Sequence, residues 1–155
     1  MSRAHLVLLL ALLTACSSSD QAARWVEALE RGTAEADEAL ASGDVAAARA
    51  ALEGVVRLEA PRSVAPDDAR VVAQDATWRL ALLTLDTPSE ALRWADLGLS
   101  RGGAGDLFHA NLLSARGAAL EALGRDVEAA RDYHEALLIN EALVDRALAR
   151  LEEAP

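Results

Sequence analysis

An all-α fold is predicted by three features of the sequence. Of its 155 residues, 36 are alanine and 27 leucine, about two-fifths of the chain, and these residues lead the helix-propensity ranking. Aromatics are only 3% and β-branched residues are scarce, so the side chains that favour strands are missing. From Gln21 onward the apolar residues recur at intervals of three and four, the period of a helix with one buried face. The length suits one domain. All 15 basic residues are arginine, and the formal charge of −10 argues against nucleic acid and against charge-driven binding to anionic membranes. A single cysteine excludes an internal disulfide.

The first element is a leader, predicted over residues 1–15. Arg3 supplies a positive start and Leu6 to Leu13 a short apolar run, less than half of the roughly 20 residues that cross a bilayer as a helix. Leu13-Thr14-Ala15-Cys16 resembles the lipobox of bacterial lipoproteins: an aliphatic residue, two small ones and a cysteine. The resemblance implies that the Cys16 thiol is joined to diacylglycerol, that the leader is cut before it, and that the new amino group is acylated. Two or more acyl chains, at about 0.8 kcal/mol per buried CH₂, hold a protein firmly. Loss of Arg3 with the leader takes the charge from −10 to −11. Residues 16–20 are then the lipidated cysteine and a short polar tether, Ser17-Ser18-Ser19-Asp20, reaching about 14 Å at 3.3–3.6 Å per residue. Ser17, where an aspartate would signal retention in the enterobacterial inner membrane, points to the outer membrane, facing the periplasm. The inner membrane and the cell surface are the alternatives.

The helical domain is expected over residues 21–155. A first helix covers residues 20–41 with Val26, Leu29, Ala36 and Leu40 inward; Gly43 ends it and Asp44 caps the next. That second helix turns Val45, Ala48, Leu52 and Val55 inward and fades before Pro61. Residues 60–66, with two prolines and no period, form a linker. Asp67 and Asp68 open a third helix, where acids suit the N-terminal dipole, reaching about Leu85. Thr87-Pro88-Ser89-Glu90 combines a capping box with proline at the first helical position. The fourth helix it starts faces inward through Leu92, Ala95 and Leu99. A glycine-rich stretch, 102–105, reads as a flexible turn, after which Asp106 begins a fifth helix ending near Leu123. Gly124-Arg125-Asp126 turns into a sixth, reaching Ile139. A last helix, residues 140–153, turns Val144, Leu148 and Leu151 inward. Glu27 with Arg31, Glu53 with Arg57, Asp75 with Arg79 and Glu121 with Arg125 stand as i,i+4 pairs, the acid first.

Helices joined by short turns become antiparallel neighbours. Within residues 113–136, Leu113, Gly117, Leu120, Gly124, Ala129, Tyr133 and Ala136 alternate large and small, with the small ones letting paired helices approach closely. This segment resembles a tetratricopeptide repeat. Two degenerate copies precede it: Gly43, Ala48 and Leu52 stand as Gly124, Ala129 and Tyr133 do, and Ala91, Ala95 and Gly98 repeat the second-helix spacing. Arg79 departs from the family pattern where a small residue is expected, as does Glu141 in place of the closing proline. The resemblance implies a right-handed superhelix of three helix pairs and a C-terminal capping helix. It also implies a concave face lined by the first helix of each pair, at Asn111, Ser114, Ala118 and Glu121.

The residues of chemistry do not assemble into a motif. His134-Glu135 lacks the second histidine of a zincin helix, and His109 stands apart, so no metal set is expected. The glycine stretch lacks the P-loop lysine and follows a helix, not a strand. Asp67 and Asp68 are explained by capping, and neither a calcium loop nor a G-x-S-x-G elbow occurs. Trp25, Trp78 and Trp94 read first as core, with Trp25, close to Cys16, the candidate for an exposed contact. The sequence thus predicts a non-enzymatic, lipid-anchored adaptor without metal or cofactor beyond the acyl groups on Cys16. Its partner would be a protein or peptide of the envelope, as for pilotin-like lipoproteins. A structural subunit of a larger envelope complex is the alternative, ahead of an enzyme or solute-binding lipoprotein.

Overall fold

The computed structural model describes residues 3–153, with side chains over residues 20–153. Among the described residues there are six helices and no strand: α1 (Arg3–Ser42), α2 (Val45–Val56), α3 (Pro66–Leu83), α4 (Pro88–Leu99), α5 (Leu107–Ala122) and α6 (Asp126–Glu152). The fold is all-α, as the composition requires. Among the described residues no helix is long and apolar enough to cross a membrane. The chain divides into two compact units, Met1–Ala69 and Arg70–Pro155.

In the first unit α1 and α2 form a hairpin. Gly43, at φ +80°, turns the chain where a side chain would strain it. The Asp44 carboxylate then accepts from the Ala47 N–H at 2.9 Å, capping α2 as its residue type predicts. Residues at matching distances from the turn meet: a Cβ on Gly32 would lie 2.8 Å from Val55 Cγ2. Ala36, Ala48 and Leu52 are fully buried and Val55 nearly so. Val26, Leu40 and Val45, expected inside, are exposed. The inner face of α1 is rotated towards Trp25, Leu29, Gly32 and Ala36, because close approach to α2 needs small side chains at the contact and leaves larger ones on its flank.

The second unit is built around α5, which packs against both α4 and α6. Leu80, Leu112, Leu113, Gln74 and Thr77 are its largest fully buried side chains. The two polar ones are satisfied. Thr77 Oγ1 donates to Ala73 O at 2.8 Å, while Gln74 Nε2 donates to Gly98 O at 3.2 Å and Gly102 O at 2.8 Å. Trp78 and Trp94 pack half-buried on Ala81, Ala95 and Ala115. Of the positions that repeat in the sequence, Ala48 and Leu52, Ala91, Ala95 and Gly98, and Ala129 and Ala136 are buried, whereas Tyr133 and the turn glycines Gly43 and Gly124 are exposed.

Three local expectations change. The Thr87 side chain makes no capping bond, so the box does not form; its carbonyl accepts from the Glu90 and Ala91 N–H groups, and the Glu90 carboxylate pairs with Arg93 at 3.4 Å. Arg125 pairs with Glu128 through two hydrogen bonds of 2.7 and 2.6 Å and not with Glu121, whereas Glu53 does meet Arg57, at 3.6 Å. The turn at 102–105 is pinned. Gln74 holds the Gly102 carbonyl, the Arg70 guanidinium lies against Gly103, and Arg146 Nη2 donates to Gly105 O at 3.1 Å. Arg70 Nη1 also donates to Asp106 Oδ2 at 2.7 Å, and Asp106 caps α5 through the His109 N–H at 2.9 Å. Burial pushes the Asp106 carboxyl upward, but the His109 N–H and Arg70 outweigh it and hold the group below the usual range.

The largest correction is α6. Residues expected as a sixth helix and a separate capping helix form one unbroken rod, Asp126–Glu152. Neither glycine nor proline stands between Ile139 and Glu152, and Asn140 alone does not end a helix. As a result Val144, Leu148 and Leu151, expected as an inner face, are exposed.

Candidate partner-binding surface

The surface is assembled from α5 and α6. On α5 the row Leu107, Asn111, Ser114, Ala118, Glu121 follows the i,i+4,i+3 spacing of one helix edge. Leu107, Ser114 and Glu121 are exposed, and Asn111 and Ala118 half-buried. Ser114 Oγ donates to Ala110 O at 3.0 Å, so its hydroxyl is committed to the helix. Leu107, at the start of the row, escapes the sequence reading because it precedes the repeat pattern.

Tyr133 joins this row to α6. Its ring lies on Gly117, where a Cβ would stand 2.7 Å from Cε1. Its hydroxyl donates to Glu121 Oε2 at 2.9 Å. Burial and that hydrogen bond to a carboxylate raise the phenol above its ordinary value, which keeps it a donor. The packing residues Leu113, Leu120, Ala129 and Ala136 are buried around this contact, and Gly124, at φ +72°, turns the chain between the two helices.

Beyond Tyr133 the same side of α6 stays apolar. At about 100° per residue, Tyr133, Leu137, Val144, Leu148 and Leu151 fall within an arc of about 60°. Their exposures are 38, 54, 57, 53 and 73%. Single exposed aliphatics are ordinary, whereas here they are aligned in one row, which makes this face the candidate for contact. The sequence shows the row; only the structure shows that nothing in the described chain covers it.

The other side of the same helices is tied by charge. Arg116 makes two hydrogen bonds to Asp132, Nε to Oδ2 at 2.7 Å and Nη2 to Oδ1 at 2.8 Å, and reaches Asp96 at 3.3 Å. Hydrogen bonding to Asp132, ahead of the opposing effect of burial, raises the guanidinium further. These groups line an open cleft of about 270 Å³ with Leu92, Leu120 and Arg131, and its Arg116 and Arg125 are already engaged. This cluster was missed, although Asp132 between Ala129 and Ala136, and Arg116 between Leu113 and Leu120, put opposite charges into two inner rows.

In the first unit Trp25 lines a shallow groove with Ala28, Leu58 and Pro61. Its indole N–H is buried without a partner among the described residues. His109 is mostly buried, 3.9 Å from the Glu135 carboxylate, and His134 is exposed on α6. Leu13, Thr14, Ala15 and Cys16 lie outside the residues whose side chains are described. Comparison of the chain with protein-family models, curated proteins and solved structures gives no match.

Proposed function

We propose that the chain is a non-enzymatic adaptor, anchored by lipid on Cys16 to the outer membrane and facing the periplasm. Its tetratricopeptide-like helix pairs hold a protein or peptide partner of an envelope complex. The observation that carries this reading is the continuous surface on which Tyr133 joins the α5 edge to the uncovered apolar row of α6. The lipobox residues Leu13 to Cys16 support the anchor. The small and acidic side chains of Asn111, Ser114, Ala118 and Glu121 favour a partner that is neutral or basic along the groove.

Two experiments test the halves separately. Cys16→Ser is expected to abolish incorporation of a fatty-acid analogue and leave the precursor uncleaved. Equal labelling of both proteins overturns the anchor. For the surface, a photo-crosslinker at Ser114 or Leu148 in intact cells is expected to trap one common partner, and one at Glu38 on α1 to trap none. Ser114→Arg with Ala118→Arg, which fills the α5 edge, is expected to remove the Leu148 product with little loss of stability, since a long side chain at half-buried Ala118 reaches solvent. An undiminished product overturns the surface.

A further inference from the structure

The apolar row of α6 has a border of one sign. Glu141, Asp145 and Glu152 fall within about 40° of one another around the helix, at about 100° per residue, and flank Leu148. All three are exposed, and none has an ion-pair partner among the described residues. The other border is uncharged, with Asn140 and Ala147. Arg146 and Arg150, the cations beside the acids along this helix, lie about 100° or more from them, and Arg131, about 40° from Asp145 around the axis, stands about 15 Å or more towards the N-terminus. Arg146 is committed to the Gly105 and Ala142 carbonyls.

We infer that the occupant of this face is a cationic amphipathic helix, its apolar residues on the row from Tyr133 to Leu151 and its arginines or lysines against Glu141, Asp145 and Glu152. This rests on the binding surface proposed above and names the chemistry of its partner. The backbone of α6 is fully paired within its own helix, so an extended peptide laid along it gains no strand-like hydrogen bonds. A helix arrives with its own backbone satisfied and fits ridges into grooves at a shallow angle. Eighteen residues at about 1.5 Å each span about 27 Å, so the complementary segment is about five turns long. An antiparallel second copy brings acids against acids, a parallel one leaves both acidic borders without cations, and either joins two molecules with a net charge of −10 each. An anionic membrane meets the same repulsion.

The test uses the full chain in zwitterionic phosphatidylcholine nanodiscs and three fluorescent 18-residue peptides. They share one leucine face and carry lysine, glutamine or glutamate on the other. The lysine peptide is expected to bind saturably, about tenfold or more tighter than the glutamine peptide, with the advantage shrinking as salt screens it. The glutamate peptide is expected not to bind. Glu141→Lys with Asp145→Lys is expected to reverse the order. Val144→Asp with Leu148→Asp, both at exposed positions, is expected to abolish binding while the circular dichroism stays helical.

Equal affinity for the lysine and glutamine peptides, both lost in the Val144→Asp, Leu148→Asp protein, overturns the cationic partner and leaves the surface standing. Lysine-peptide binding that survives those two aspartates is charge attraction elsewhere and overturns the placement. A dimer in sedimentation that those aspartates dissolve identifies the occupant as a second copy, and binding of empty anionic nanodiscs identifies it as lipid; either overturns the inference.

Discussion

Asp132→Ala is expected to cost about 2–3 kcal/mol of stability, the largest single loss predicted for the second unit. Removing one partner of a buried ion pair leaves the other charge uncompensated, which typically costs about 3–5 kcal/mol. The Asp132 side chain is only 8% exposed, but Arg116 is 29% exposed. Partial rehydration of the guanidinium therefore lowers the expected figure. Asp132→Asn, which keeps one acceptor, is expected to lose about half as much. Asp96→Ala, at the outer end of the cluster where the carboxylate is 55% exposed, is expected to lose under about 0.5 kcal/mol. Urea unfolding with an unchanged slope reads all three. Equal losses for Asp132→Ala and Asp96→Ala would show that the pair does not hold α5 to α6.

The same substitution at two glycines is expected to have opposite signs. Gly98→Ala places a Cβ about 2.6 Å from Leu112 Cδ2 and against Thr77 Oγ1. Both neighbours are fully buried, so neither can yield without moving its helix. Overpacking of this kind costs about 1–3 kcal/mol. Gly54, in the last turn of α2, has nothing within 4 Å of its Cβ position. Gly54→Ala removes only the entropic handicap of glycine, smaller in a last turn than in a helix interior, and is expected to stabilise by about 0.5 kcal/mol. Thermal unfolding of the pair decides it. A neutral Gly98→Ala would mean that α4 does not press on α3 and α5 as closely as described.

What was legible in the sequence was set by neighbours along the chain. Asp44 and Asp106 cap because a short acid before an apolar run has an N–H three residues on to accept from. Gly43 and Gly124 turn because only glycine adopts a positive φ freely. Tyr133 on Gly117 was readable as a large residue opposite a small one in a repeat that packs helices in pairs. What was not legible depends on distances across helices. Arg70 and Gln74 clamp the 102–105 turn from more than a score of residues away. Which of Trp25 and Val26 faces α2 depends on how closely the hairpin closes. The end of α6 misled for another reason: a helical apolar period marks a face that will be covered, and does not say whether this chain or another molecule covers it. The placement of Asn111, Ser114, Ala118 and Glu121 on one edge followed from their spacing; the continuation onto α6 required knowing that no break follows Ile139.

That continuity has a mechanical consequence. At about 1.5 Å per residue α6 is about 40 Å long and α5 about 24 Å, so the last turns of α6 run past their neighbour as an overhang. No glycine, proline or bulge interrupts the rod, and an uninterrupted α-helix bends only gently. A molecule that grips Leu148 and Leu151 therefore holds the short arm of a lever, about 3–8 Å long. Its fulcrum is where Arg146 grips the Gly105 carbonyl, and its long arm, about 20 Å, ends at the Asp132–Arg116 clamp and the Tyr133–Glu121 latch. Load taken at the tip is delivered to those two points and not dissipated at a hinge. Tension on a partner would be sensed first as strain between α5 and α6.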